Sequence, residues 1–160
     1  MTNIESELRG IFGYNDNTRR YLHPKVSPFP LKDIWPQVID RIRGLLTQVN
    51  ENRLAESLDG LFVFDRCHCG GCSTVYTQPA PRSGQSHRGI AFCPPETVDI
   101  ETNKPFSADH PEYPTTPYLT ILDVVDEQIV CIEILDDLES QQQLMEGICK
   151  QCGACSRYKY

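Results

Sequence analysis

Apolar residues recur at helical spacing in three stretches of the chain. In the clearest one, residues 34–49, apolar side chains three, four and seven positions apart form one face, and charged side chains form the other. Pro36 suits the first turn of this helix, where a backbone N–H has no partner within the helix. A shorter helix is predicted at residues 54–58, ending at Asp59-Gly60, and a terminal helix at residues 138–148.

Between these helices, the pattern changes to short runs rich in β-branched and aromatic residues. Strands are predicted at residues 61–66, 74–78, 88–92 and 97–101, with glycine and proline pairs between them. A hairpin is predicted from residues 118–125 and 128–135 around Asp126-Glu127. Both alternating faces of this hairpin are apolar, so we expect it to lie at the centre of the sheet.

The order of these elements predicts an α+β fold. We expect a mainly antiparallel sheet of four to six strands, with the N-terminal and C-terminal helices packed on it and a cysteine metal site at one edge. Residues 1–160 are predicted to form one domain, since 160 residues can bury a sufficient core. Residues 1–58 are predicted to be a helical region with a short first helix through Phe12, and residues 59–135 a β-rich region. Residues 136–160 are predicted to form a terminal helix and a cysteine-rich tail.

Charge and hydropathy exclude two classes of function. The chain carries 15 Lys and Arg against 22 Asp and Glu, a net charge of −7, and it has no basic cluster, which argues against nucleic-acid binding. No apolar run approaches the roughly 20 residues that cross a bilayer, so we expect no membrane contact. The first residues lack the basic and apolar regions of a secretory signal, and we expect a cytoplasmic protein.

The eight cysteines carry the candidate chemistry. In a reducing compartment we expect them to be metal ligands, reactive thiols or buried apolar groups rather than disulfides. Six of them fall into two groups: a C-x-C-x-x-C run from Cys67 to Cys72, and a C-x-x-C-x-x-C run from Cys149 to Cys155. Two cysteines separated by two residues can bind one ion when the backbone between them turns tightly, and glycine permits such turns.

The economical hypothesis is a closed zinc site that takes two thiolates from each group. Its four ligands are predicted to be Cys69, Cys72, Cys149 and Cys152. The additional candidates are Cys67, Cys155 and His87.

Two other arrangements of the cysteines remain open. In one, Cys67, Cys69 and Cys72 bind an ion together with His87 or Cys93, and the tail cysteines bind a second ion or none. In the other, the site holds an iron–sulfur cluster, because the tail spacing matches part of the bacterial ferredoxin run. Cys131 lies in the apolar hairpin and is predicted to be a buried apolar residue.

Four thiolates leave zinc no open position for water, so the sequence favours a structural metal in a protein-binding or adaptor module. Catalysis is not expected. The alternative is a metal- or thiol-dependent enzyme, or a redox or iron–sulfur sensor, in which Asp65, His68 or His87 would act as acid or base. The first cysteine group enters a β-prone segment, unlike the dithiol of thioredoxin-like enzymes, which opens a helix.

One resemblance adds to this interpretation. Residues 67–77 carry the motif C-x-C-G-x-C followed by Tyr76-Thr77. Together with Ser86-His87-Arg88 and the hairpin at residues 122–135, this segment resembles a group of small uncharacterised bacterial proteins. The resemblance covers roughly residues 60–140. It implies a compact domain with a cysteine-bearing turn and His87 close to that turn, and it implies no activity.

Overall fold

The computed structural model describes residues 29–63, 65–67, 72–77, 86–109 and 111–152, and gives only the backbone of Asp65, Cys149, Gln151 and Cys152. The predicted first helix through Phe12 lies outside these residues. The helices are α1 (Leu31–Ile34), α2 (Pro36–Gln48), α3 (Asn52–Ser57), α4 (Phe106–Asp109) and α5 (Leu138–Cys152). The strands are β1 (Phe29–Pro30), β2 (Phe62–Val63), β3 (Asp65–Arg66), β4 (Cys72–Tyr76), β5 (His87–Phe92), β6 (Thr120–Val125) and β7 (Gln128–Leu135).

The predicted α+β class is confirmed, and the sheet is antiparallel. Five strands pair in the order β3-β4-β7-β6-β5, while β1 and β2 form a separate two-stranded sheet. The hairpin of β6 and β7 occupies interior positions, as its two apolar faces predict. Its turn residues Asp126 and Glu127 both have positive φ, at 49° and 61°, the conformation that matches the twist of a two-residue hairpin.

Helix α2 follows the predicted amphipathic pattern. Pro36 lies in its first turn, and the apolar face is buried, from Val38 to Leu46. Trp35, between α1 and α2, is also buried, and its indole N–H donates to the carbonyl oxygen of Ser140 in α5 at 3.0 Å. Among the described residues, no helix combines the length and the apolar character needed to cross a membrane.

One face of the five-stranded sheet packs against the helices. Its core side chains belong to one cluster with those of α1, α2, α3 and α5. They are Val75, Ile90, Phe92, Leu122, Val124, Ile129, Ile132 and Ile134. Since neighbouring residues of a strand point to opposite sides, the residues between them form the other face, which we call the second face. It comprises Cys72, Thr74, Tyr76, His87, Ala91, Ile121, Asp123, Cys131, Glu133 and Leu135.

Three elements differ from their sequence predictions. Residues 61–66 split into β2 and β3, which pair in different sheets. The predicted strand at residues 97–101 is reduced to one bridge, between Val98 and Pro105, and a turn follows in which the Asp99 carboxylate accepts hydrogen bonds from the N–H groups of Glu101 and Thr102 at 2.7 and 3.2 Å. Helix α5 continues to Cys152 rather than ending at residue 148.

Candidate functional site

The first cysteine group begins and ends on neighbouring strands. The N–H of Cys67 donates to the carbonyl oxygen of Thr74 at 2.9 Å, directly after the pair Arg66–Val75, so Cys67 lies opposite Thr74. Cys72 precedes Thr74 by two residues on β4 and therefore shares its face, and the Thr74 hydroxyl donates to the Cys72 sulfur at 3.1 Å. Cys67 and Cys72 thus both belong to the second face, beside Thr74.

Acidic side chains lie on the same face as Cys67 and Cys72. Glu133 of β7 pairs with Thr74 of β4, on the side of Thr74 away from Cys67. Burial, followed by the charges of Cys67 and Asp123, raises the pKa of Glu133. Cys67 lies opposite Thr74 on β3 and Glu133 lies opposite Thr74 on β7, so the two side chains share the second face with β4 between them. The second face therefore gathers groups that carry negative charge when ionised.

Cys131 is buried, as its apolar surroundings in the hairpin predict. Burial raises the pKa of its thiol, and the charges of Asp123, Glu133 and Cys67 raise it further. Its thiol is therefore protonated at neutral pH and is a poor nucleophile.

The sheet register separates His87 from the first cysteine group. Cys72 pairs with Leu135 at one end of β7, whereas His87 pairs with Val125, beside Gln128 at the other end. Strand β7 advances about 23 Å between Gln128 and Leu135. The His87 ring instead lies 3.6 Å from the Asp123 carboxylate.

Cys93 is also remote from Cys72. It directly follows β5, and β6 and β7 lie between β5 and β4, so three strand spacings of about 4.8 Å separate the two strands. Cys93 is buried, and burial raises the pKa of its thiol. The structure therefore does not bring Cys67 and Cys72 together with either His87 or Cys93.

The backbone of the tail cysteines Cys149 and Cys152 also lies away from Cys72. Cys72 borders a cavity of about 370 Å³ together with Leu138 and Gln141, in the first turn of α5. Because α5 is helical through Cys152, Cys149 and Cys152 lie about 12 and 17 Å beyond Gln141 along the helix axis. The backbone around them is a continuous helix and not the tight turn expected between two ligands of a zinc knuckle.

Several predicted groups fall outside what the structure describes. Cys69, His68 and Cys155 are not among the described residues, and Asp65 is described only by its backbone in β3. Across the described part of the chain, no group of three or more His, Cys, Asp or Glu side chains is spaced to hold a metal ion.

Glu133 and Asp123 are not among the candidates that cysteine spacing indicates, although the sequence carries a signal for both. Each is a carboxylate inside a hairpin strand that is otherwise largely apolar, and each alternates with core residues such as Ile132 and Leu122. This alternation assigns both carboxylates to the face opposite the core.

Comparisons of the chain with protein-family models, curated proteins and solved structures gave no match. The resemblance to small bacterial proteins therefore stays a prediction.

Proposed function

We propose that this protein binds one zinc ion at the connection between β3 and β4, that the metal is structural, and that the protein acts as a binding or adaptor module. Cys67, Cys69 and Cys72 are the proposed thiolate ligands. Cys149, Cys152 and His87 are left out of the proposed ligand set, because their positions in helix α5 and strand β5 are distant from Cys72.

One observation carries the proposal. The register of β3 on β4 puts Cys67 and Cys72 on the same face, at the two ends of a four-residue connection that includes Cys69. Cys69 is two residues from Cys67 and three from Cys72, so the covalent chain alone keeps all three within reach of one ion. Thiolates are preferred zinc ligands, at about 2.3 Å from the metal.

The surface beside the site supports a binding role. Leu138 borders the same cavity as Cys72 and is 79% exposed, at the start of α5. An exposed leucine beside the proposed zinc site offers an apolar contact that a partner protein would bury. The adjacent Asp136 also borders the cavity and makes this surface acidic, so a partner with basic residues would be complementary.

Metal analysis of the purified protein tests the proposal. We expect one zinc per chain after anaerobic purification, and a loss of zinc in each of the single variants Cys67→Ser, Cys69→Ser and Cys72→Ser. Cys93→Ser is the matched control, because Cys93 is a buried cysteine on the far side of the sheet, and it should retain zinc. Iron in place of zinc would favour the iron–sulfur sensor, and a metal-free protein with fully reactive thiols would contradict the proposal.

A further inference from the structure

A cavity of about 370 Å³ lies between the ends of β4 and β7 and the first turn of α5. Its volume falls within the range of small-ligand pockets, roughly 300–1,000 Å³. Ser73 of β4 pairs with Ile134 of β7, and both belong to the face of the sheet that packs against the helices. Their side chains therefore point toward α5, whose residues Leu138 and Gln141 border the same cavity.

The hydroxyl of Ser73 is a polar group of this cavity without a partner. Ser73 is 1% exposed, and its Oγ makes no hydrogen bond with the described residues. Buried polar groups in native proteins are nearly always hydrogen-bonded, so this oxygen is an exception. A ligand in the cavity that donates a hydrogen bond to Ser73 would satisfy it.

The charge of the cavity favours a cation. Asp137 pairs with Arg41 at 3.2 Å and caps α5 by accepting from the N–H of Ser140, so its charge is already balanced. Asp136 also borders the cavity and is exposed, and within the described part of the chain it takes part in no ion pair. The cavity therefore has one uncompensated carboxylate, which attracts a cation and repels an anion.

A guanidinium group matches this cavity better than an ammonium group does. Its five N–H donors form a planar fork, so it can donate both to the Asp136 carboxylate and to the Ser73 hydroxyl. It is also more weakly hydrated than an ammonium ion, and it loses less hydration on entering a partly enclosed cavity. The buried Ile134 and the exposed Leu138 offer apolar contacts to the methylene groups of an arginine side chain.

We infer that this cavity binds an arginine side chain of a partner protein. The inference rests on the proposed binding role of the protein, but it does not require the zinc ion. The Asp136 carboxylate pairs with the guanidinium group, and the Ser73 hydroxyl accepts a hydrogen bond from it. Leu138 packs against the residues of the partner that flank the arginine.

Blocked amino acids and peptides test the inference on the unaltered protein. We expect N-acetylarginine methylamide to bind with a dissociation constant on the order of 1 mM, as is typical of so small a ligand. N-acetylcitrulline methylamide has nearly the same shape without the charge, and it should bind at least about tenfold more weakly. A blocked Leu-Arg-Leu peptide should bind at least about threefold more tightly than the blocked arginine, because Leu138 buries its apolar flanks. NMR chemical-shift changes of the Asp136 and Leu138 amides measure each affinity.

Three variants assign the contacts. Asp136 has a φ of 60°, which asparagine tolerates, so Asp136→Asn should keep the fold and weaken binding of the blocked arginine at least about tenfold. Ser73→Ala should weaken it about fivefold, the effect of one hydrogen bond, without lowering stability. Leu138→Ala should remove the advantage of the Leu-Arg-Leu peptide over the blocked arginine.

Asp126→Asn is the matched control. Asp126 is also an exposed aspartate with positive φ, at 49°, and it lies in the hairpin turn, at the end of β7 away from the cavity. Its replacement removes the same charge at a similar backbone conformation, so the affinity for the blocked arginine should be unchanged.

The outcomes separate this inference from the proposed zinc site. Equal binding of the arginine and citrulline compounds, or an equal loss of affinity in Asp136→Asn and Asp126→Asn, overturns the inference. A Leu-Arg-Leu peptide without an advantage would favour a free guanidinium compound over a partner protein, and it overturns the inference too. A protein that holds one zinc but binds no arginine compound leaves the zinc site standing and contradicts this inference, whereas arginine binding without zinc does the reverse.

Discussion

Two buried hydroxyl groups near the ends of β4 differ in their hydrogen bonding. Thr77 follows β4, and its hydroxyl donates to the carbonyl oxygen of Ile129 at 2.7 Å. Ser73 is equally buried, but its hydroxyl has no hydrogen-bond partner among the described residues. A buried hydroxyl without a partner opposes folding, whereas one with a partner contributes a little to stability.

The pair predicts opposite responses to removal of the hydroxyl. Ser73→Ala should leave stability unchanged or increase it by up to about 1 kcal/mol, since an unpaired polar group is lost from the interior. Thr77→Val should decrease stability by about 1–2 kcal/mol, because the carbonyl of Ile129 loses its donor. Urea unfolding of the two variants measures both free energies. If Ser73→Ala is the more destabilising of the two, the assignment of the Ser73 hydroxyl as unpaired is wrong.

At the scale of elements, two helical glycines have opposite roles. In α5, a Cβ atom at Gly147 would overlap the backbone carbonyl of Ile34 in α1, so glycine is what allows these two helices to approach closely. In α2, a Cβ atom at Gly44 would meet no other atom within 4 Å. Gly44 therefore only weakens its helix, through the conformational freedom of its backbone in the unfolded chain.

Alanine substitution should distinguish these two roles. Gly44→Ala should stabilise the protein by about 0.5–1 kcal/mol, the difference in helix propensity. Gly147→Ala should destabilise it by roughly 2 kcal/mol or more, since α5 must move away from α1 and the packing of Leu144 and Ile148 is disturbed. Thermal unfolding measures both effects. A stable Gly147→Ala variant would contradict the close contact between α1 and α5.

The elements that could be predicted from sequence are those whose pattern agrees with their packing. Helix α2 and the hairpin of β6 and β7 have long periodic patterns, and both were located correctly. The segment at residues 97–101 has β-branched residues, but Ile100 is 97% exposed, and the local hydrogen bonds of the Asp99 carboxylate favour a turn. Local composition carries no information about whether a neighbouring strand is available.

The candidate site was only partly predictable for a related reason. Sequence spacing identifies Cys67 and Cys72 as members of one group, and covalent proximity keeps them together in the fold. Partners from distant segments depend on strand order and register, which spacing does not encode. The register brings Glu133 next to Thr74 and puts His87 at the opposite end of β7, so the long-range part of the sequence hypothesis could not be derived without the fold.

At the scale of the whole molecule, ion pairs connect segments that are distant in sequence. Arg88 on β5 pairs with Glu51, between α2 and α3, at 2.6 Å and with Glu127 of the hairpin turn at 2.8 Å. Arg41 on α2 pairs at 3.2 Å with Asp137, which precedes α5. These contacts join the helices to the sheet and α2 to the start of α5.

The carboxylates in these pairs make folding sensitive to acid. Hydrogen bonds from Arg88 are the main cause that lowers the pKa of Glu51, against the opposing effect of burial. Burial alone would raise the pKa of Asp137, but hydrogen bonds from Ser140 and the charge of Arg41 outweigh it and lower that pKa. The Asp137 carboxylate also accepts from the N–H of Ser140 at 3.1 Å, the contact of a helix cap.

The direction of the pH dependence follows from these lowered pKa values. At neutral pH both carboxylates are ionised in the folded and unfolded states, and their pairing contributes fully to stability. As the pH falls below the ordinary values of 4.5 for Glu51 and 3.8 for Asp137, the unfolded chain binds protons first, so stability is lost. The free energy of unfolding should therefore be lower at pH 3 than at pH 7.

The Asp137→Asn variant tests how much of this pH dependence of stability comes from the contact between α2 and the start of α5. The neutral amide can still cap α5, but it carries no charge to pair with Arg41. The variant should therefore be less stable than the unaltered protein by about 1 kcal/mol at pH 7. At pH 3 the difference should shrink, because Asp137 of the unaltered protein then loses part of its own charge. Asp59→Asn is the matched control, since Asp59 forms an exposed pair with Arg43 at 2.8 Å and solvent screens that interaction. Urea unfolding of all three proteins at both pH values measures these free energies. If the Asp137→Asn variant loses as much stability between pH 7 and pH 3 as the unaltered protein, another group is responsible for the acid sensitivity.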